Sequence, residues 1–255
     1  MLQTSPHSVV VMPVATRPEF LALTLERLSQ ANQLPSDIRI YADTNANLEE
    51  VKYCRDTYLP QASLFQRPPH ISAPSGTWNI LQSLRDGYES GAEFVFLVEE
   101  DIAVKPTFFE WHLSQTDCLA SCGRKDPRFY PKHPNIYVNP GACLRRPLLQ
   151  QLIPHINDEY FTKLREYLDR EFGLWDEITH LDDGLIRRVI RKMGGRAVYP
   201  DVPVCAHQGF RAYNNLDIYM NKEGNIQERI AGLQKMLYSI KSTDRYAPDF
   251  DEYRF

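Results

Sequence analysis

Two hydrophobic periods alternate along the first part of the chain. "SVVVMPV" is a continuous β-branched run, the pattern of a buried strand. In "ATRPEFLALTLERLSQAN" the period lengthens, and Leu21, Leu25 and Leu28 fall on one helical face. Thr16 followed by Glu19 has capping-box spacing, and Pro18 suits a first helical turn. "DIRIYAD" predicts a second strand, "NLEEVKYCRDTYL" a second helix and "ASLFQR" a third strand. The loop "PPHISAPSG" leads into a helix over "TWNILQSLRDGYESG", stopped at Gly91. "EFVFLVEEDIAV" then predicts a fourth strand whose apolar run meets Glu99, Glu100 and Asp101 before it resumes.

Beyond this point the pattern is less regular. "FFEWHLSQTDCLA" predicts a helix, and "NIYVNPGACLRRPLLQQLI" a strand, a glycine turn and a helix. "DEYFTKLREYLDREFG" reads as one amphipathic helix, and "LDDGLIRRVIRKMGG" as another that ends at two glycines. "RAVYPDVPVCAHQGF" is a strand containing prolines, hence an edge strand or an interrupted one. The tail "STDRYAPDFDEYRF" is aromatic without a period. Alternating strands and helices imply right-handed βαβ units in an α/β fold, with a mainly parallel central sheet flanked by helices. With no repeat, low-complexity block or linker, residues 1–255 form a single domain.

Composition narrows the partners. The 255 residues are 43% hydrophobic and 24% charged, with a net charge of -4, so no global basic field draws nucleic acid. Arg187, Arg188, Arg191 and Lys192, with Arg145 and Arg146, form a local basic cluster: either a nucleic-acid patch or a solvated helix face. No run has the length of a membrane span. The N-terminus lacks the basic and apolar regions of a signal peptide, and five scattered cysteines read as reduced thiols. Cys118 and Cys122 have helical spacing but no partners that complete a zinc site. A cytoplasmic protein is expected.

Three adjacent carboxylates repel one another, and burial raises the cost. A divalent cation removes it; hard oxygen ligands suit Mg or Mn, and such an ion can hold a diphosphate. The alternative is a solvated acidic loop. Asp182 and Asp183 open a helix, where its dipole favours negative charge, so capping accounts for one of them. His207 follows the last β run and precedes Gly209.

In this order the motifs resemble the GT-A nucleotide-sugar glycosyltransferases, especially the family-2-like inverting enzymes. "VVVMPVATRPEFLALTLERL" resembles their first strand, nucleotide loop and first helix; "IRIYADTNAN" resembles a second strand ending in an acid near the base or ribose. "SGTWNILQSLRDGYESGAEFVFLVEED" resembles the approach to their Asp-x-Asp metal motif, with Glu-Glu-Asp in its place. "VNPGACLRRPLL" resembles the loop shaping the sugar and acceptor pocket, "LDDGLIRRVIRKMG" the helix carrying the catalytic base, and "YPDVPVCAH" the strand leading to a metal-site histidine. The resemblance runs from residue 8 to about 210. It implies a nucleotide-binding half (1–104), an acceptor and catalytic half (105–215) and a C-terminal helix and tail (216–255).

The same resemblance implies the site. Asp101 and His207 would hold Mn or Mg, with Asp183, or else Asp182, as the base. Pro13, Thr16, Arg17, Asp43, Asn79, Glu99, Glu100, Gly141 and Arg211 are its donor-site candidates. Glu99 is expected near the ribose or sugar, while Glu100 points away, since alternate strand residues face opposite sides. Thr16 equally suits a helix cap and Asp43 a strand end. Trp78 either stacks on a ligand ring or fills the core. The implied reaction moves a sugar from a nucleoside diphosphate sugar to an acceptor hydroxyl on a glycan, a small molecule or a modified nucleic acid. The competing readings are a sugar nucleotidyltransferase, against which the glycine-free loop "PVATRPEF" argues, and a non-catalytic nucleotide- or sugar-binding protein, which needs no base.

Overall fold

The computed structural model of the chain describes residues 7–70, 75–125, 136–173, 181–209 and 224–239. Strands and helices alternate at first: β1 (Ser8–Val14), α1 (Pro18–Ser29), β2 (Asp37–Ala42), α2 (Leu48–Tyr58), β3 (Ser63–Gln66), α3 (Ser75–Glu89) and β4 (Phe94–Leu97). Then come β5 (Ile102–Val104), α4 (Phe108–Ser114), β6 (Ala120–Cys122), β7 (Ala142–Arg145), α5 (Arg146–Leu152) and a short 3-10 turn (Ile153–His155). The last described elements are α6 (Asp158–Thr162), α7 (Leu164–Phe172), α8 (Leu181–Lys192), β8 (Ala197–Val198), β9 (Cys205–His207) and α9 (Ile226–Ser239). None of these helices is long and apolar enough to cross a membrane.

A seven-stranded sheet has the order β3-β2-β1-β4-β7-β6-β8. Its first four strands are parallel, β7 runs antiparallel to β4 and β6, and β8 pairs parallel to β6. The fold is α/β with a mostly parallel central sheet. The two-residue period of the strands builds two cores. Val10, Met12, Val14, Phe96 and Val98 face α1, α2, α4 and α9, whereas Val9, Val11, Val95 and Leu97 face α3, α5 and α8. Continuous apolar runs in β1 and β4 follow from this burial on both faces. α9 lays Ile226, Ile230, Leu233 and Met236 against the core shared with α1.

The structure departs from the sequence reading where tertiary pairing overrides local pattern. "EFVFLVEEDIAV" is two strands in two sheets. Ile102 N–H donates to Glu99 O (3.2 Å) across a turn, and β5 then pairs antiparallel with β9 in a separate two-stranded sheet. A straight continuation would have driven carboxylates into both apolar cores. The helix from Phe108 stops at Ser114, and the small buried residues Ala120, Ser121 and Cys122 become a strand between β7 and β8. Cys122 therefore lies in β6 and Cys118 in the segment leading into it, not on a helix face, and all five cysteines are free. The helix expected over 158–172 breaks at Lys163, and the proline-containing strand over 197–207 divides between the two sheets. The Thr16–Glu19 capping box does not form: Arg17 is the N-cap without a side-chain bond, and Glu19 is buried 3.9 Å from Arg229.

Candidate active site

β1 has β2 on one side and β4 on the other, so the chain's winding reverses between β1 and β4. Loops leaving such neighbouring parallel strands diverge and open a crevice at their carboxyl ends. The loop after β1 brings Ala15 and Arg17 to that crevice, and the turn after β4 brings Glu99, Glu100 and Asp101.

Glu100 turns beneath the β1 loop and is 2% exposed. Its carboxylate accepts from Ala15 N–H (2.7 Å) and Arg17 Nε (2.7 Å), and its carbonyl from the Thr24 hydroxyl (2.8 Å). Burial pushes its carboxyl up, opposed by Arg17 and the Ala15 N–H. Glu100 thus locks the loop after β1 to the strand end. Asp101 is also buried. Arg17 Nη1 lies 2.9 Å from its Oδ2 and His207 Nε2 lies 3.7 Å from the same oxygen, yet neither carboxylate oxygen receives a hydrogen bond. The β5–β9 ladder sets this geometry. It pairs Ile102 with His207, and Gln208 N–H extends it by donating to Asp101 O (2.8 Å). Burial lowers the His207 pKa, opposed by Asp101, so the imidazole favours its neutral, ligand-competent form.

The second acidic group arrives from later in the chain. β7 pairs with β4 so that Ala142 lies opposite Leu97, which carries the preceding loop alongside Glu99. In that loop Asn139 N–H donates to Asp183 Oδ1 (3.0 Å) and its side-chain amide donates to Asp182 Oδ2. Arg187, one turn along α8, lies 3.3 Å from Asp183 Oδ2 and donates to Tyr137 O (2.7 Å). Asp182 is 8% exposed, whereas the Asp183 side chain keeps 14% of its surface. Glu99 is within electrostatic reach of both groups. Burial first, then Asp101, Asp182 and Asp183, pushes its carboxyl well above the usual range, and Arg17 opposes them. Four carboxylates from distant parts of the chain therefore share one field. That arrangement favours a cation or a shared proton.

Beyond the end of β2 lies a pocket of about 190 Å³ lined by Asp43, Thr44, Asn45, Arg67, His70 and Trp78, among others. Asp43 is buried and its carboxylate accepts from Thr44 N–H (2.6 Å). Asn79 donates to Tyr41 O (2.8 Å) and Val14 O (3.4 Å), tying α3 to two strand ends. Arg67 bonds Asn79, Ser83 and Asp86 and stacks over Tyr41 (4.0 Å). Trp78 stacks on His70, with ring centroids 3.4 Å apart, and Phe161 meets both rings edge-on.

The remaining candidates are placed less directly. Pro13 is buried within β1, beyond the last residue paired with β4, where its missing N–H breaks no ladder to that strand. Thr16 is exposed at the loop. Gly141 has φ +57°, and a Cβ there would lie 2.6 Å from Cys205 Sγ, so the turn leading into β7 requires glycine. Arg211 lies outside the described residues. In the basic cluster Arg188 is buried, Arg187 is paired as above and Arg146 bonds Tyr88 O, so these three are turned inward. Sequence reasoning passed over Asn139, Arg67 and His70. Asn139 reads as part of an Asn-Pro-Gly turn; its place ahead of Gly141 in the loop before β7 was the available signal.

Among the described residues, no group of three or more His, Cys, Asp and Glu side chains is arranged to hold an ion. Asp101 and His207 nevertheless fit a divalent ion that takes its other ligands from phosphate oxygens and water, the usual mode for Mg. The buried Asp101 oxygens, which receive no hydrogen bond, are the observation behind that fit.

No family model matches the sequence, and no curated protein matches it. Solved structures do resemble the fold. The mannosyltransferase PcManGT from Pyrobaculum calidifontis, in complex with GDP-Man and Mn2+, superposes with a TM-score of 0.53 at 13% identity, covering 95% of this chain and 77% of that one. The apo-form glycosyltransferase GlyE of Streptococcus pneumoniae gives 0.53 at 11% identity, over 98% and 63%. TarS of S. aureus gives 0.50 at 14% identity, over 93% and 44%. At these identities the likeness concerns architecture, and the architecture is the GT-A type of the nucleotide-sugar glycosyltransferases.

Proposed function

We propose that the chain is a glycosyltransferase that moves a sugar from a nucleoside diphosphate sugar to an acceptor hydroxyl, with inversion at the anomeric carbon. The carrying observation is the meeting of Glu99 and Asp101 with Asp182 and Asp183 at the mouth of the β1–β4 crevice. One acidic group serves the leaving diphosphate and the other the incoming hydroxyl. That PcManGT was solved with a nucleotide sugar and Mn2+ lends support.

Asp101 and His207 would hold Mn or Mg. Such an ion supplies charge neutralisation for the departing diphosphate. The pocket bounded by Asp43, Arg67 and the His70–Trp78 stack receives the nucleoside. Glu99 lies between diphosphate and acid pair, where the sugar sits. Asp183 takes the acceptor proton. It is the less buried of the pair, and Asn139 and Arg187 fix its orientation. Asn139 bonds both aspartates and so holds the base in register with Glu99.

A panel of nucleotide sugars with Mn2+, assayed for nucleoside diphosphate release, tests this. Release from at least one donor, abolished in Asp183→Asn, is the expected result. No thermal stabilisation and no release with any donor would reject the reading, since a ligand that binds the native state must raise its stability.

A further inference from the structure

Arg17 occupies an unexpected place. It sits ahead of the first turn of α1, and its guanidinium spans two neighbouring carboxylates: Nε on Glu100 at 2.7 Å and Nη1 by Asp101 Oδ2 at 2.9 Å. The two contacts differ in kind. The Glu100 contact is a hydrogen bond; the Asp101 contact is a charge pair without hydrogen-bond geometry, and both Asp101 oxygens are buried without a hydrogen bond. Gly209 closes over the pair, where an added Cβ would lie 2.1 Å from Asp101 Oδ2 and 2.9 Å from Arg17 Nη1. The oxygen nearest His207 is thus already neutralised by a protein cation. A guanidinium and a divalent ion cannot both crowd that oxygen without strong repulsion.

We propose that Arg17 is a latch on the metal-binding carboxylate. In the donor-free protein it masks Asp101, and it exchanges Asp101 for the diphosphate when cation and donor bind together. That role rests on Asp101 being the metal carboxylate. Guanidinium pairs well with phosphate oxygens, so a diphosphate in the crevice offers Arg17 a better partner than the misaligned Asp101 contact. The Nε bond to buried Glu100 keeps the side chain anchored while its far end exchanges. Cation and diphosphate then raise each other's affinity by one common factor. Masking keeps the ion from settling without donor.

Calorimetric titration of Mn2+ into the nucleotide-free full chain tests the latch. Arg17→Gln is expected to bind Mn2+ at least about tenfold tighter than wild type, within the usual span of coupled sites, and Asp101→Asn to bind it more weakly. Unchanged or weaker binding in Arg17→Gln, with Asp101→Asn still impaired, would overturn the latch and leave the metal assignment standing. Indifference of Mn2+ binding to Asp101→Asn would overturn both. Should Arg17→Gln fail to fold, wild-type protein decides. The Arg17 Nε–H resonance, assigned by its loss in Arg17→Lys, is expected to stay in place with Mg2+ alone and to move when pyrophosphate is added with Mg2+. A resonance that moves fully with Mg2+ alone, or not at all with both, overturns the proposal.

Discussion

A base and a metal carboxylate differ in what a substitution should remove. Asp183→Asn keeps the shape and can still accept from Asn139 N–H, so the fold should survive. It cannot take a proton, and transfer should fall by about 10²-fold or more, with donor affinity nearly intact. Steady-state rates beside equilibrium donor binding check this; equal losses in both would place Asp183 in the donor site instead. Asp182→Asn should cost less. Asn139→Ala keeps the backbone bond to Asp183 and loses the one to Asp182, so a smaller rate loss is expected. Some of these residues were legible from sequence because they punctuate strands and helices: Asp101 follows β4 and Asp182 opens α8. Asn139 was not legible, because its partners lie more than forty positions away and its own neighbourhood reads as a turn. Thr16 shows the converse. Its spacing to Glu19 fitted a cap, but Arg229 and the core around α1 claim Glu19.

At the level of elements, α4 carries a histidine that ties stability to pH. His112 is buried among Phe96, Phe108 and Trp111, with Nδ1 2.7 Å from the Ser121 hydroxyl. Burial lowers its pKa to about 3, opposed by the Gly141 backbone. A histidine kept neutral in the fold contributes stability that is present above its unfolded pKa, about 6.5, and is lost as pH falls toward the folded value. Each pH unit in that window costs at most about 1.4 kcal/mol from this group. Unfolding midpoints between neutral and acid pH should therefore fall less steeply in His112→Asn than in wild type, although the variant starts lower. Parallel slopes would remove His112 as the cause. α9 gives a second test. Leu233 is buried against the α1 core, and Leu233→Ala should cost about 2–5 kcal/mol in denaturant unfolding. The alternating first half was readable because each element carries its own period. The later elements were harder because β6, β8 and β9 are two or three residues long, and their pairing comes from distant strands.

On the scale of the molecule, one sheet joins the early and the later strands of the chain, and the crevice lies where β1 and β4 meet. Parallel strands β1 and β4 bring the loops that follow them to one edge, and antiparallel β7 returns the chain so that Asn139 and α8 reach the same edge. The α/β class and the placing of acids at strand ends follow from period and order alone. The split of the carboxylate strand into two sheets, and the capture of Asp101 by Arg17, do not, since the first depends on β9 pairing with β5 and the second on the loop before α1 reaching the strand end. The proposed chemistry rests on Asp101 serving a nucleoside diphosphate through a divalent ion. Calorimetric titration of the donor's nucleoside diphosphate into wild type and Asp101→Asn, each in Mn2+ and in EDTA, tests that most directly. Wild type should bind more tightly in Mn2+ than in EDTA, and Asp101→Asn should bind equally weakly in both. Equal affinity in all four titrations would contradict it.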